Sequence, residues 1–290
     1  MRPVVAIHAG AGERARGLSD AESRLIAGGL EDALEAARSA LDGGAGALGA
    51  VKAAIVVMES FELFNAGRGS ALCADGAVEM SAALMRADRE AGAVAGVEHT
   101  EHPILGAAVV LESPQVLVAG PGADALAAAA GLAQRSRAYF ITGRQLGRLD
   151  APPAAGAEHA TVGAVCLDSA GELAAGTSTG GVRGQPRGRV GDSPLIGAGT
   201  WADARVAVSC TGDGEAFIRA GAARYLAALA EQGVPLGQAA ARALAEVQAF
   251  GGRGGLVALD ADGCAALPFL SEVMPRGVWR AGESPAVWAA

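Results

Sequence analysis

The chain has 290 residues, 51% of them hydrophobic and 19% charged, which is typical of an ordinary globular protein. Its net charge of −8 and the lack of a basic stripe exclude a nucleic-acid surface built on many phosphate contacts. Lys52 is the one lysine among 23 basic residues, and its surroundings indicate a helix, which argues against a lysine Schiff base or a P-loop.

The first half of the chain contains predicted helices and short strands in mixed order. Apolar residues at helical spacing predict the longest helix, Ala21–Leu41, which we expect to stop at the two glycines that follow Asp42. The other predicted elements are strand Val4–Ile7, turn Ala9–Gly12, helix Gly46–Glu59, strands Val78–Leu84 and Ala93–Val97, helix Pro103–Glu112, strand Val116–Ala119 and helix Ala123–Ala133.

One segment, Leu146–His159, has the composition of a linker, because adjacent prolines, several alanines and scattered charges give it no amphipathic period. Beyond it, the predicted elements are strands Val162–Leu167, Glu172–Thr177 and Val206–Cys210, helices Gly214–Gln232 and Pro235–Gln248, and strands Leu256–Asp260 and Cys264–Pro268. Helices and strands occur in blocks, which favours a layered α+β fold over a strictly alternating Rossmann sheet.

Several features bear on the location of the protein. The four cysteines lie far apart and form no CxxC pair, which favours reduced, buried thiols. The apolar run Val4–Ile7 is too short for the core of a signal peptide, and Ala125–Ala133 is too short and too weakly apolar to span a bilayer. We therefore expect a cytoplasmic protein with neither a membrane nor a nucleic acid as partner.

Thr161 stands where the predicted linker meets a buried strand. An ordinary strand-forming threonine also occurs at such a position. Three clusters of glycine, hydroxyl and charged residues follow it, however: GTSTGG (176–181), GRVGDS (188–193) and SCTGDGE (209–215). Because several of them lie at strand ends, they indicate one converging pocket rather than separate turns.

The chemistry that requires such groups is catalysis by an N-terminal nucleophile. A threonine hydroxyl is a weak nucleophile and needs a base. If the chain is cut after Ala160, the new α-amine of Thr161, with a pKa of about 7.7–8, can take the hydroxyl proton. In the uncut chain the same nitrogen is an amide and cannot act as a base, so that cleavage would activate the protein.

With these motifs, the sequence resembles the plant-type L-asparaginase/isoaspartyl peptidase family of Ntn-hydrolases. The resemblance covers nearly the whole chain, and the order and spacing of its segments carry it. These segments are AIHAGAG (6–12), LFNAGRGSAL (63–72), AGAVAGV (91–97), TVGAV (161–165), AAGTSTGG (174–181), GRVGDSPLIGAGTWAD (188–203), VSCTGDGEAFIRA (208–220) and GGRGGLVALD (251–260).

The resemblance implies a four-layer αββα sandwich in one folded domain, cut into an α subunit (1–160, ending in the linker) and a β subunit (161–290). It implies that the enzyme hydrolyses L-asparagine and β-aspartyl (isoaspartyl) dipeptides to L-aspartate through a threonyl acyl-enzyme. Family members associate as (αβ)₂, so we expect the chain to associate with a second copy of itself. We expect its other partner to be a small-molecule substrate.

The resemblance also implies a role for individual residues. Thr161 is the nucleophile of both self-cleavage and catalysis. The other implied groups are Thr179 beside it, Thr177 in the same hydroxyl network, Asn65 at the new α-amine, Thr211 and the Gly212 N–H in the oxyanion hole, and Arg189, Asp192 and Gly214 in substrate binding. A planar guanidinium matches a substrate carboxylate, whereas an Arg189–Asp192 ion pair is the structural alternative.

No cofactor is required for this chemistry, but the resemblance implies a structural sodium ion. Its ligands are backbone carbonyls of Met58, Glu59, Phe61, Phe64, Ala66 and Arg68. Two residues depart from the family pattern, because Ala160 and Ala9 stand where the family has glycine. A Cβ before the nucleophile narrows the accessible backbone angles, so we expect slower cleavage.

Three alternatives are weaker. A glycosylasparaginase-like hydrolase resembles the same superfamily, although such enzymes carry an aspartate where this chain has Ala160. The departures at Ala9 and Ala160 would also suit an uncleaved relative that only binds amino acids. His99 and His102 have the spacing of metal ligands, but no cysteine or carboxylate array completes a site, and histidines in a surface turn are the simpler interpretation.

Overall fold

The computed structural model describes residues 1–12, 19–150, 158–159 and 161–289. Helices and strands are interspersed along this part of the chain, which confirms the predicted mixture of α and β structure. The helices are α1 (Asp20–Asp42), α2 (Gly46–Ser60), α3 (Pro103–Leu111), α4 (Pro121–Ala129), α5 (Arg137–Phe140), α6 (Gly143–Asp150), α7 (Gly214–Ala220), α8 (Ala222–Glu231) and α9 (Leu236–Ala249).

The strands are mostly short and buried. They are β1 (Val4–His8), β2 (Ala11–Gly12), β3 (Met80–Arg86), β4 (Ala91–Val97), β5 (Leu117–Ala119), β6 (Glu158–His159), β7 (Val162–Leu167), β8 (Leu173–Thr179), β9 (Thr200–Ala202), β10 (Val206–Gly212), β11 (Gly254–Asp260), β12 (Ala265–Ala266), β13 (Arg276–Arg280) and β14 (Ala286–Trp288).

These strands form a large sheet in the order β14-β13-β1-β7-β8-β3-β4-β5, a smaller sheet in the order β12-β11-β10-β9, and the short pair β2-β6. Neighbouring strands are antiparallel, apart from the parallel pair β4 and β5. The large sheet contains strands from before and after Thr161. For example, β1 lies between β13 and β7, which both follow Thr161 in the sequence. The two sides of the predicted cut therefore share one sheet.

Alternate residues of the large sheet face opposite sides, and both sides are covered. On β1, Val5 and Ile7 belong to a core shared with α1 and α2, whereas Val4 and Ala6 face the smaller sheet. A further core lies between the smaller sheet and helices α7, α8 and α9. Buried apolar side chains thus hold helices to each sheet and the two sheets to each other.

Helix α1 shows how local sequence sets an element. Ser19 caps its first turn, since its hydroxyl accepts from the Glu22 N–H at 3.2 Å while the Glu22 carboxylate accepts from the Ser19 N–H at 3.1 Å. A stripe of buried residues, which includes Leu30 and Leu34, faces the core. The helix ends before Gly43, within two residues of the predicted end.

The predicted linker needs a correction at its start. Its first five residues, 146–150, are the end of helix α6, and α5 was not predicted at all. Leu149 packs against the large core, and the buried Gln145 side chain donates to the Gly69 carbonyl at 2.5 Å. These tertiary contacts stabilise a helix of eight residues. Residues 151–157 and 160 lie outside the described part of the chain.

Several other boundaries were wrong. The single predicted helix 214–232 is divided at Gly221, which adopts a left-handed conformation with φ of 56° and so separates α7 from α8. The predicted turn at Ala9–Gly12 contains β2, which pairs with β6. Strands β9, β13 and β14 were missed, because they are short or half-exposed. Strand β13 also depends on pairing with β1, which is distant in sequence.

Among the described residues, no helix combines the length and the hydropathy that crossing a bilayer requires.

Candidate active site

The residues of the site lie where the layer between the two sheets changes from apolar to polar. On β8, Leu173 and Ala175 face this layer, and the next residues of the same parity are Thr177 and Thr179. The same change occurs at Ser209 and Thr211 on β10 and at His8 on β1. Register aligns His8, Gly163 and Thr177 across three neighbouring strands. Strand alternation therefore gathers polar side chains from distant sequence positions.

Thr161 lies at this polar end, immediately before β7. It is buried, and its Oγ1 donates to Thr179 Oγ1 at 3.1 Å. The Thr179 hydroxyl also accepts from the Gly181 N–H at 3.0 Å. The structure thus brings together the two threonines that the sequence paired. The predicted cleavage partner Ala160 lies outside the described residues.

The main-chain carbonyl of Thr161 is held by a histidine that the sequence did not single out. His8 Nδ1 lies 3.0 Å from the Thr161 oxygen, and His8 Nε2 lies 2.9 Å from Ser209 Oγ. Burial lowers the pKa of His8 to about 3, although the bond to Thr161 opposes this shift. The ring is therefore neutral near pH 7. His8 follows Val4 and Ala6 at alternate positions of β1, and this alternation was the signal that could have identified it.

Thr177 does not bond to Thr161 directly. Its Oγ1 lies 2.7 Å from Ser209 Oγ, and Thr200 Oγ1 donates to it at 2.7 Å. It therefore reaches Thr161 through Ser209 and His8. The sequence placed Thr177 in the hydroxyl network but gave no role to Ser209 or Thr200, since the packing of β8 against β9 and β10 of the other sheet cannot be read from local patterns.

Thr211 and Gly212 end strand β10 beside the short pair β2-β6. The Thr211 hydroxyl accepts from the Ala11 N–H at 3.1 Å. Gly212 has φ of +146°, and a Cβ on it would lie 2.3 Å from the Arg253 carbonyl oxygen. Only glycine fits this backbone, so the N–H of residue 212 is fixed in direction.

Arg189, Asp192 and Gly214 converge as the sequence predicted. A Cβ on Gly214 would lie 2.9 Å from Arg189 Nη2 and 3.1 Å from Asp192 Oδ1, so both side chains approach the backbone of residue 214. Arg189 also forms a bidentate ion pair with Glu215, in which Nε and Nη2 each lie 2.9 Å from a carboxylate oxygen. The sequence did not predict Glu215 as a partner of Arg189.

Asn65 supports the turn that follows Thr179. Its Nδ2 donates to the Gly181 carbonyl at 2.7 Å, its Oδ1 accepts from the Ala71 N–H at 2.6 Å, and its own carbonyl accepts from the Gly180 N–H at 2.9 Å. Asn65 therefore holds the backbone next to Thr179. Its contact with a free α-amine at Thr161 stays a prediction.

The segment 58–68, predicted to hold sodium, curls into a closed loop. The Arg68 N–H donates to the Glu59 carbonyl at 2.7 Å, and the carbonyls of Glu62 and Phe64 each lie 2.6 Å from the Cβ position of Gly69. Of these carbonyls, Glu59 and Phe64 belong to the predicted sodium ligands, whereas Glu62 does not. A carbonyl oxygen has a second lone pair that can coordinate a hard cation, and the sodium site stays a prediction.

The two histidines of the weaker metal hypothesis have different partners. His102 Nδ1 lies 3.2 Å from Glu59 Oε2, whereas His99 Nδ1 lies 3.0 Å from the Arg135 carbonyl. The described residues contain no group of three histidine, cysteine or acidic side chains that could share a metal ion.

The chain is similar to known proteins over nearly its whole length. A family model described as Asparaginase matches residues 1–154 and 150–288. The chain is similar to the isoaspartyl peptidase of Salmonella typhimurium, with 44% identity over 98% of this chain and 97% of that protein. The isoaspartyl peptidase of Escherichia coli is 43% identical (98% and 95%), and the isoaspartyl peptidase/L-asparaginase of Rattus norvegicus is 37% identical (97% and 87%).

Proposed function

The chain belongs to the asparaginase family, and on this basis we propose that it is an amide hydrolase for L-asparagine and β-aspartyl (isoaspartyl) dipeptides. The product is L-aspartate. The single observation that carries the mechanism is the placement of Thr161. Its hydroxyl is buried at the start of β7 and bonded to Thr179 at 3.1 Å, at a site gathered from both sides of the predicted cut.

The reaction begins after the chain is cut between Ala160 and Thr161. The free α-amine of Thr161 then takes the proton of its own hydroxyl, and Oγ1 attacks the side-chain amide carbon of the substrate. The Thr211 hydroxyl and the Gly212 N–H stabilise the oxyanion, a contribution of about 3–4 kcal/mol for one such donor in other enzymes. The α-amine passes this proton to the leaving nitrogen, which departs as ammonia or an amine, and water hydrolyses the threonyl ester to release aspartate.

The substrate is held by its α-amino acid end. The Arg189 guanidinium binds the α-carboxylate, and Asp192 binds the α-ammonium group, beside the backbone of Gly214. The convergence of the two side chains at a Cβ position on Gly214 supports this assignment, because a larger residue at 214 would fill the space between them. Glu215 occupies the guanidinium in the structure, so the substrate carboxylate must compete with it.

We propose that residues 1–160 and 161–290 stay together after the cut in one folded αββα domain. The cores between helices and large sheet, between the two sheets, and between smaller sheet and helices support four layers. Two such αβ units associate as (αβ)₂. The closed loop 58–68 holds a sodium ion through backbone carbonyls, which would stiffen the loop that carries Asn65.

A Thr161→Ala variant tests both parts of the proposal. We expect the wild-type protein to separate into two fragments, one beginning at Thr161 by intact mass spectrometry, and to hydrolyse L-asparagine and β-Asp-Leu. The variant should stay in one piece and lose at least about 10⁴-fold in turnover. Thr100→Ala, which removes a buried hydroxyl bonded to Asp124 away from the site, is the matched control.

Two outcomes would count against the proposal. A Thr161→Ala protein that still turned over either substrate would remove Thr161 from the mechanism. A wild-type chain that stayed intact and inactive would favour a relative that only binds amino acids. Higher activity on a glycan-linked asparagine than on L-asparagine would instead correct the substrate.

A further inference from the structure

Behind the carbonyl of Thr161 lies a chain of fully buried polar side chains. It runs from His8 on β1 to Ser209 on β10, Thr177 on β8 and Thr200 on β9. The successive distances are 3.0 Å from the Thr161 oxygen to His8 Nδ1, 2.9 Å to Ser209 Oγ, 2.7 Å to Thr177 Oγ1 and 2.7 Å to Thr200 Oγ1. Two strands from each sheet contribute one member each.

The chemistry of these groups gives the chain one direction. A carbonyl oxygen only accepts, so Nδ1 of His8 must carry the proton. Because burial keeps the ring neutral, Nε2 has a free lone pair and accepts from the Ser209 hydroxyl. With its one proton used, Ser209 Oγ accepts from Thr177, and Thr177 accepts from Thr200. The Gly199 and Ser193 carbonyls lie farther from the threonine hydroxyls, at 3.2 and 3.0 Å.

The contact between His8 and Ser209 depends on the absence of a side chain at Gly163. A Cβ on Gly163 would lie 1.9 Å from Ser209 Oγ and 2.3 Å from His8 Nε2. Any other residue two positions after Thr161 would displace one of the two side chains. Close approach of β7 is therefore built into the arrangement.

We propose that these hydrogen-bonded side chains position the nucleophile. His8, Ser209, Thr177 and Thr200 are positioning residues that fix the orientation of the Thr161 carbonyl. The inference rests on the proposed function, in which Thr161 becomes the first residue of its fragment. Strand β7 begins only at Val162, and chain ends are poorly ordered unless they are tied down. His8 at the carbonyl and Thr179 at the hydroxyl together fix the terminal residue in an attacking geometry.

The first test removes the proton donor to His8 with Ser209→Ala. We expect kcat on L-asparagine, expressed per molecule of cleaved protein, to fall about 10- to 100-fold, because a small misplacement of the nucleophile is costly. KM should change less than twofold, since none of the altered groups contacts the substrate clamp. Thr200→Val, which keeps the side-chain volume at the far end of the chain, should lower kcat by a smaller factor.

The second test reads the tautomer directly. In ¹⁵N NMR of the folded wild-type protein, the His8 ring should be neutral with the proton on Nδ1, and Ser209→Ala should disturb its Nε2 signal. Thr100→Val is the control for loss of a buried hydroxyl, and it should leave both kcat and the His8 signals unchanged.

A His8 ring protonated at Nε2, or an unchanged kcat in Ser209→Ala, would overturn the proposal. An equal fall of kcat in Thr100→Val would also overturn it, because the effect would then be one of general stability. Failure of the proposed function has a different signature: the wild-type chain would show no turnover at all, while the tautomer would remain readable.

Discussion

The guanidinium of Arg189 faces a carboxylate before any substrate arrives. Its bidentate pair with Glu215 uses the same planar fork that a substrate carboxylate would require. The Arg189 side chain is largely buried at 13% exposure, whereas Glu215 is exposed at 66%. Arg189 is thus oriented by an ion pair with an exposed carboxylate, which a substrate carboxylate can replace.

We expect Glu215→Gln to lower KM for L-asparagine by about two- to fivefold, the range expected for loss of a competing, solvent-exposed ion pair. The kcat value should stay near that of the wild type, because Glu215 does not contact the Thr161 hydroxyl. Steady-state kinetics at low ionic strength provide the measurement.

A matched control is Glu35→Gln, which breaks an exposed pair with Arg38 on helix α1, away from the site. It should leave KM unchanged. A higher KM in Glu215→Gln would show that Glu215 supports the clamp rather than competes for it.

At the scale of elements, strands carry the hydroxyl network around Thr161, and helices contribute buried apolar faces to the cores. Helix α1 contains adjacent glycines in different surroundings. A Cβ on Gly28 would meet nothing within 4 Å, whereas a Cβ on Gly29 would lie 3.2 Å from the Phe61 ring. The two positions therefore separate the backbone effect of glycine from the packing effect.

Gly28→Ala should raise the free energy of unfolding by about 0.5–1 kcal/mol, because alanine loses less conformational freedom in a helix. Gly29→Ala should gain less or lose stability, since the Phe61 ring must shift. Urea unfolding in a Thr161→Ala background, which keeps the polypeptide in one piece, gives both values. A larger gain at Gly29 than at Gly28 would contradict this assignment.

At the scale of the whole molecule, a neutral histidine at the meeting point of two sheets makes stability depend on pH. The pKa of His8 is lowered from 6.5 to about 3 by burial. Below pH 6.5 the unfolded chain binds a proton at His8 that the folded chain does not. The free energy of unfolding therefore falls as the pH falls from about 6.5 towards 3.

Between pH 7 and pH 5 this single group should remove about 2 kcal/mol of stability. In the uncut Thr161→Ala background, His8→Gln should reduce the loss over that interval by about this amount, whatever its effect at pH 7. Unfolding curves at the two pH values for both proteins measure the difference. Equal losses in the two proteins would show that His8 is not the group responsible.

Much of the content of helices and strands could be predicted from the sequence. Hydrophobic periodicity predicted α1, α2 and β7 nearly to the residue, because these elements bury a regular face against the core. The order and spacing of the glycine-rich motifs led to the family. The resemblance to that family implied that Thr179 lies beside Thr161 and that Arg189 and Asp192 share one site, and each pair lies close together in the structure.

The assembly of the site, by contrast, depends on contacts between strands that are distant in sequence. His8 and Ser209 are 201 residues apart, and no local pattern records that β1 and β10 bring them within 2.9 Å. The half-exposed strand β13 depends in the same way on pairing with β1, which is distant in sequence. A site built between two sheets is specified by non-local register, so its supporting residues appear only when the strands are packed.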